Sequence, residues 1–161
     1  MIRALALILL AGPAQALSCL PVGPREGYDL AAKSDKSYVV VAGVAAFDSG
    51  LLPRNRYPTT ENPPAHNEIP ARIKGRSLDT NGFLNPFDEA VTLDALCLGP
   101  WCGEMAGGGD YLMFLERRDA GYTLTLDPCA EYVFARPNAE TLNHIAACFQ
   151  LGGQCAPRRK R

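Results

Sequence analysis

No apolar run near the start of this chain is long enough to cross a bilayer as a helix, which takes roughly 20 residues; the run from Ala4 to Ala11 holds eight. A transmembrane anchor is therefore not expected. Histidine is scarce, with His66 and His144 the only two, and neither accompanies Cys97 and Cys102 at zinc-ligand spacing. No nucleophile elbow occurs, so a set of Ser, His and Asp collected from the chain carries no weight. Ala106-Gly-Gly-Gly109 is not followed by Gly-Lys-Ser/Thr, which excludes a phosphate loop and leaves a flexible turn. Clustered positive charge is also missing from the body. Of 16 Lys and Arg, five are Arg3 and the C-terminal Arg158, Arg159, Lys160 and Arg161, leaving 11 against 17 Asp and Glu. Such a mildly acidic body is not built to hold nucleic-acid phosphates, and the basic 158–161 tail reads as a solvated end.

What the N-terminus does contain is basic Arg3, the apolar run, Gly12-Pro13 and the small-residue site Ala14-Gln15-Ala16. This is the pattern of a secretory signal peptide over 1–16, cleaved after Ala16. A rival reading makes Ala16-Leu17-Ser18-Cys19 a lipoprotein box with Cys19 lipidated, but Ala stands where an apolar residue belongs three before the cysteine. The 145 residues from Leu17 onward suit one domain with its own core, 17–157, followed by the tail. The expected location is secreted or periplasmic.

All six cysteines (19, 97, 102, 129, 148 and 155) lie in the exported part, and an even number in an oxidising compartment predicts three disulfides. Of the 15 pairings that six cysteines allow, spacing favours Cys97 with Cys102 across Leu-Gly-Pro-Trp and Cys148 with Cys155 across Gly152-Gly153, which leaves Cys19 with Cys129. No metal and no cofactor are expected.

Two prolines and no period make Leu17–Pro24 an extended segment that can lie along another surface. Tyr28, Ala31 and Ala32 fall at i, i+3 and i+4, predicting a short helix over 25–34. The β-branched stretch Ser37–Phe47 predicts a buried central strand with a bend or bulge at Gly43. Prolines 53, 58, 63 and 64 punctuate an aperiodic loop from Asp48 to Glu68, long for a compact domain and so a candidate surface. Ile69–Ser77, with Arg72, Lys74 and Arg76 on one wet face, gives a second strand, and Glu89–Leu98 a third after a turn over 79–86. Tyr111–Leu115 and Tyr122–Leu126 form a hairpin around Glu116–Gly121. Asn138 caps a final amphipathic helix carrying Leu142, Ile145, Ala146 and Phe149 on one face, and Gly152 stops it. Five strands with a C-terminal helix suggest a mainly β fold with flanking helices, an OB-like barrel.

The start Leu17-Ser-Cys-Leu-Pro-Val-Gly-Pro24, with the helix and strand that follow, resembles the opening of the tissue inhibitors of metalloproteinases, whose mature chains begin Cys-x-Cys-x-Pro. Cys102-Gly103, Asp110–Leu115, Gly121–Leu126 and Cys129 are similar to motifs of the same family and of the wider netrin-like module. This resemblance implies a five-stranded OB barrel and a Cys19–Cys129 bridge. It departs where it matters for inhibition: the family's zinc-chelating N-terminal cysteine, stapled by a disulfide, is matched here by Leu17. Without the staple, ordering entropy weakens binding.

The function expected is a non-catalytic module that binds a protein partner, using the N-terminal segment, the long loop and the Cys97–Gly109 region as one surface, since the resemblance implies that these parts lie near each other. Candidate binding residues are Leu17, Ser18, Tyr57, His66 and Trp101. One alternative is inhibition of a secreted zinc protease through the Leu17 amine, and another is an enzyme of unknown type. His144 reads as a surface or partly packed side chain, and Trp101, favoured as packed, could also anchor a partner.

Overall fold

A computed structural model describes residues 17–20, 22–54, 62–153 and 155. The expected signal peptide, the 158–161 tail and Tyr57 lie outside the described residues. In chain order the elements are α1 (Pro24–Lys33), β1 (Tyr38–Phe47), a 3₁₀ turn (Ser49–Leu51), β2 (His66–Asp79), β3 (Gly82–Leu98), β4 (Trp101–Cys102), β5 (Asp110–Arg118), β6 (Gly121–Leu126), β7 (Val133–Ala135) and α2 (Ala139–Gln150). The fold is mainly β with a C-terminal helix.

The β-branched run of β1 is a central strand, with a neighbour on each side, in which Val40, Val41 and Ala45 are buried and most of the rest partly so. Val41–Phe47 pairs antiparallel with Ala71–Ser77 of β2, and Tyr38–Val44 pairs antiparallel with Asp110–Glu116 of β5. From β2 the sheet continues through β3 to β6 by a parallel contact, Val91–Ala95 against Tyr122–Leu126, and from β6 back to β5. The pairing β1-β2-β3-β6-β5 thus returns to β1 as a ring. At the β1–β2 crossing Gly43 stands directly opposite Gly75 without a bulge. The bend expected at Gly43 takes the form of two backbones in close approach: a Cβ at Gly43 would strike the Lys74 carbonyl oxygen and lie 2.7 Å from the Gly75 Cα.

Side chains alternate along each strand, so the two faces of the ring build two cores. Val41, Ala45, Ile69, Ile73, Leu93, Met113, Leu115, Leu124 and Leu126 fill the inside. Leu112 and Phe114 of β5 point the other way, onto Tyr28 and Ala31 of α1 and Ile145 and Cys148 of α2. Tyr28 and Phe134 both meet the Phe114 ring edge-on, at 6.3 and 6.0 Å. Within β5 every residue of Tyr111–Leu115 is buried, as five consecutive apolar residues suit a strand covered on both faces. Asn138 Oδ1 caps α2 by accepting from the Thr141 N–H at 2.8 Å. Leu142, Ile145 and Ala146 of α2 pack inward as expected, but Phe149 is 39% exposed, and Cys148, bonded to Cys155, is enclosed.

Four expectations are corrected. Seven strands replace five among the described residues, since β4 and β7, at two and three residues, are too short to show a period. Helix α1 opens one residue early, at Pro24, whose missing N–H suits a helix start, and the Gly23 N–H is taken by Glu26 Oε2 at 3.1 Å. The turn predicted over 79–86 shrinks to Thr80-Asn81, with Asp79 accepting from the Asn81 N–H and the Asn85 side chain. Pro86 is tolerated because β3 has β6 beside it only from Val91 onward. Finally β2 begins at His66, pairing with Leu96 well before Ile69. Pro70 fits there because β1 joins β2 only from Ala71.

All six cysteines are bonded as expected, 19–129, 97–102 and 148–155. Among the described residues no helix is long and apolar enough to cross a membrane. Arg72, Lys74 and Arg76 form the expected wet face of β2.

An ion cluster ties the start of β1 to the end of β5. Glu116 Oε2 accepts from Arg118 at 3.1 Å and Lys36 Nζ at 3.0 Å, with the carboxylate side chain 12% exposed. The Arg118 hydrogen bond, aided by Lys36, holds the Glu116 carboxyl below its ordinary range against the opposing effect of burial. A folded value below the unfolded one gives a stabilisation complete above the usual glutamate value of about 4.3 and lost as pH falls through the folded value. Glu116→Gln is expected to flatten the acid limb of the stability curve, read by urea denaturation from about pH 7 down to about pH 3. An unchanged acid limb would refute the assignment.

Candidate binding site

Three segments distant in sequence meet in one groove of about 850 Å³. Val22 and Pro24 come from the N-terminal segment, Leu52, Pro53 and Arg54 from the loop after β1, and Glu104, Met105 and Ala106 from the stretch between β4 and β5. Tyr111, Ala130 and β7, Val133–Ala135, complete the lining. The walls are chiefly apolar, with two exposed charges of opposite sign, Arg54 and Glu104.

Each wall is held in place by a distinct device. The Cys19–Cys129 bond fixes the N-terminal segment beside Ala130. Asp127 organises the turn that carries Cys129 and Ala130: Oδ1 accepts from the Cys129 N–H and Oδ2 from the Glu131 N–H, both at 2.8 Å. Ala130 sits at φ 54°, the left-handed region that disfavours side chains. Leu52 follows a 3₁₀ turn capped by Asp48, whose Oδ1 accepts from the Gly50 N–H at 2.8 Å. The Glu104–Ala106 wall is anchored at Gly103, which donates its N–H to the Leu96 carbonyl at 2.8 Å. A Cβ at Gly103 would run into the Leu126 carbonyl, so this backbone approaches β6 as only glycine can. Tyr111 Oη accepts from the Ala106 N–H at 3.2 Å, and Gly108 donates to the Ala45 carbonyl at 3.2 Å. Ala106–Gly109, read as a flexible turn, is thus tied down at two points.

Of the candidate residues, Leu17 is half-buried and Ser18 exposed, on the segment that lines the groove through Val22 and Pro24; neither is itself in the lining. Trp101 is half-buried in β4 opposite Leu98, at the hairpin tip closed by Cys97–Cys102, and is not in the lining. His66 is corrected from the proline loop to the first residue of β2, because Asn67 Nδ2 bonds to the Pro64 and Ala95 carbonyls and extends the pairing with β3. It also has a partner the sequence did not suggest: its Nδ1 lies 2.9 Å from Asp94 Oδ2, while the ring is 71% exposed. This pair is not part of the groove lining.

Among the described residues, the buried side-chain polar atoms with no hydrogen-bond partner are Asp94 Oδ1 and His144 Nε2. Residues 52–54, 104–106 and 133–135 were not singled out one by one from the sequence, for the groove depends on where the chain returns. The signals present were the two-proline start, able to lie along another surface, and the length of the loop after β1. Among the described residues that line the groove, no nucleophile is paired with a base. Compared with known protein families, curated proteins and solved structures, the chain matches none.

Proposed function

We propose that this chain is an exported, non-enzymatic binding module of the netrin-like kind, built on an OB-like barrel, and that it takes an extended segment of a protein partner into the groove. The ring β1-β2-β3-β6-β5, closed by one parallel contact, supports the barrel reading, since five strands in a Greek-key ring are the OB plan. Three disulfides support a secreted or periplasmic location, where such bonds persist. One observation carries the functional reading. The N-terminal segment, the loop after β1 and the stretch following Cys102 converge on a single apolar groove flanked by Arg54 and Glu104. A preformed concave surface with few polar groups suits ligand capture. Disulfides at its edges reduce the ordering entropy that binding must offset.

A photo-crosslinking side chain in place of Ala106 is expected to capture one discrete protein, and the same side chain at exposed Asn143 on α2 to capture none. Ala135→Trp, which fills the groove from its opposite wall, should weaken capture by the Ala106 probe at least tenfold. Equal capture at both positions, or none at Ala106, would overturn the reading. An alanine added before Leu17 should leave capture unchanged; loss on that single addition would instead assign binding to a zinc-chelating N-terminus.

A further inference from the structure

Helix α2 places His144 and Cys148 four residues apart, on one face and one turn from each other. The turn at Gly152 and Gly153, closed by the Gly153 N–H on the Cys148 carbonyl at 3.2 Å, brings the chain back so that Cys155 reaches Cys148. A ring nitrogen of His144 and both sulfurs all lie within 4.8 Å of one another. Independently, His144 Nε2 is enclosed without any hydrogen-bond partner, although a neutral imidazole needs one at each nitrogen when buried. Cys148 is 1% exposed. Two cysteines and an imidazole are the donors preferred by thiophilic d¹⁰ cations such as Zn²⁺.

We propose that Cys148, Cys155 and His144 form a metal site that exists when the Cys148–Cys155 bond is reduced and is exchanged for the disulfide on oxidation. The site is independent of the groove and of its partner. A dithiol gives two electrons and two protons to the Cys148–Cys155 bond and leaves as its own cyclic disulfide. Both new thiols release their protons to solvent as the cation binds two thiolates and one imidazole nitrogen. With metal–sulfur bonds of about 2.3 Å and metal–nitrogen bonds of about 2.0 Å, the donor atoms stand roughly 3.5 to 3.8 Å apart. The two sulfurs, now joined, have to separate and the imidazole nitrogen, within 4.8 Å of both, to settle at bonding distance, and the two glycines between the cysteines give the chain that freedom. The fourth tetrahedral position stays open to water or to another ligand. Oxidation removes both thiolates and expels the ion.

Protein reduced with excess dithiol and desalted under argon is titrated with Zn²⁺ against a chromophoric chelator, and with Co²⁺ for thiolate charge-transfer absorption. One ion per chain is expected for the reduced protein and none for the oxidised protein. The double variant C97S/C102S should keep the site, and C148S/C155S, which retains four other thiols, should lose it. H144A and H144Q, with every thiol in place, should bind at least tenfold more weakly. Reduced protein that binds no ion, whether folded or not, overturns the proposal. So does H144A binding as tightly as the unaltered chain.

Discussion

Removing the Cys19–Cys129 bridge, as C19S/C129S, is expected to lower the stability of the fold by about 3 to 5 kcal/mol, and removing Cys97–Cys102 by roughly 2. The difference follows from the chain that each bond closes, 110 residues in one case and five in the other. The unfolded ensemble gains far more freedom from the first loss, while each bond joins segments already close in the fold. A domain of this size is stable by only about 5 to 15 kcal/mol, so the long bridge alone can be a large share of the total. It also has a local effect that the short bridge lacks. Cys19 holds the segment up to Val22 against the groove, whereas α1, which begins at Pro24, keeps its own hold through Tyr28 on Phe114. Loss of Cys19–Cys129 should therefore abolish partner capture under conditions where the ring remains folded. Denaturant titration of both double variants decides the matter: equal losses would mean that loop length is not what these bonds act through.

Gly43→Ala and Gly75→Ala are each expected to destabilise by about 3 kcal/mol or more, the upper range for forcing atoms into filled space. A Cβ at Gly75 would meet the Ala42 carbonyl oxygen and lie 2.6 Å from the Gly43 Cα, so neither strand offers a flexible side chain that could yield. Backbone would have to move, and it is pinned: β1 is bonded on its far side to β5 and β2 to β3. Opening this crossing strains the whole ring. Since one displacement would relieve both methyl groups, G43A/G75A should cost less than the two single losses added together. Thermal melts of the three variants test this, and single variants within about 1 kcal/mol of the unaltered protein would show that the crossing opens freely.

Much of the fold was legible because its signals are local. The β-branched run of β1, the alternation of charged residues along β2, the Asn138 cap and the glycines after α2 each act over a few residues and came out near the places expected. So did the three disulfides, since two pairs are close in sequence and their choice leaves one. What could not be read was whatever depends on a neighbour. His66 was placed in a loop because the prolines before it set the local pattern, yet its strand exists by pairing with Leu96, and its acid partner Asp94 is 28 residues away. Strand β7 is three residues held by β5 and would not form alone. In α2 the apolar period includes Phe149, yet it is Cys148, bonded to Cys155 seven residues on, that is enclosed while Phe149 is left exposed.

By itself, then, the sequence determined the kinds and order of the main elements and the absence of familiar catalytic motifs, and favoured one sulfur connectivity, because propensity, period and cysteine spacing are properties of short stretches. Only the tertiary structure decided which elements cover the two faces of β5, that β1 closes the ring between β2 and β5, that Arg54 and Glu104 share a groove with Val22, and that His144 sits beside a disulfide with its Nε2 unpartnered. Each of these is a meeting of residues far apart along the chain, fixed by strand register and by which face a helix buries, and no local pattern encodes such a meeting.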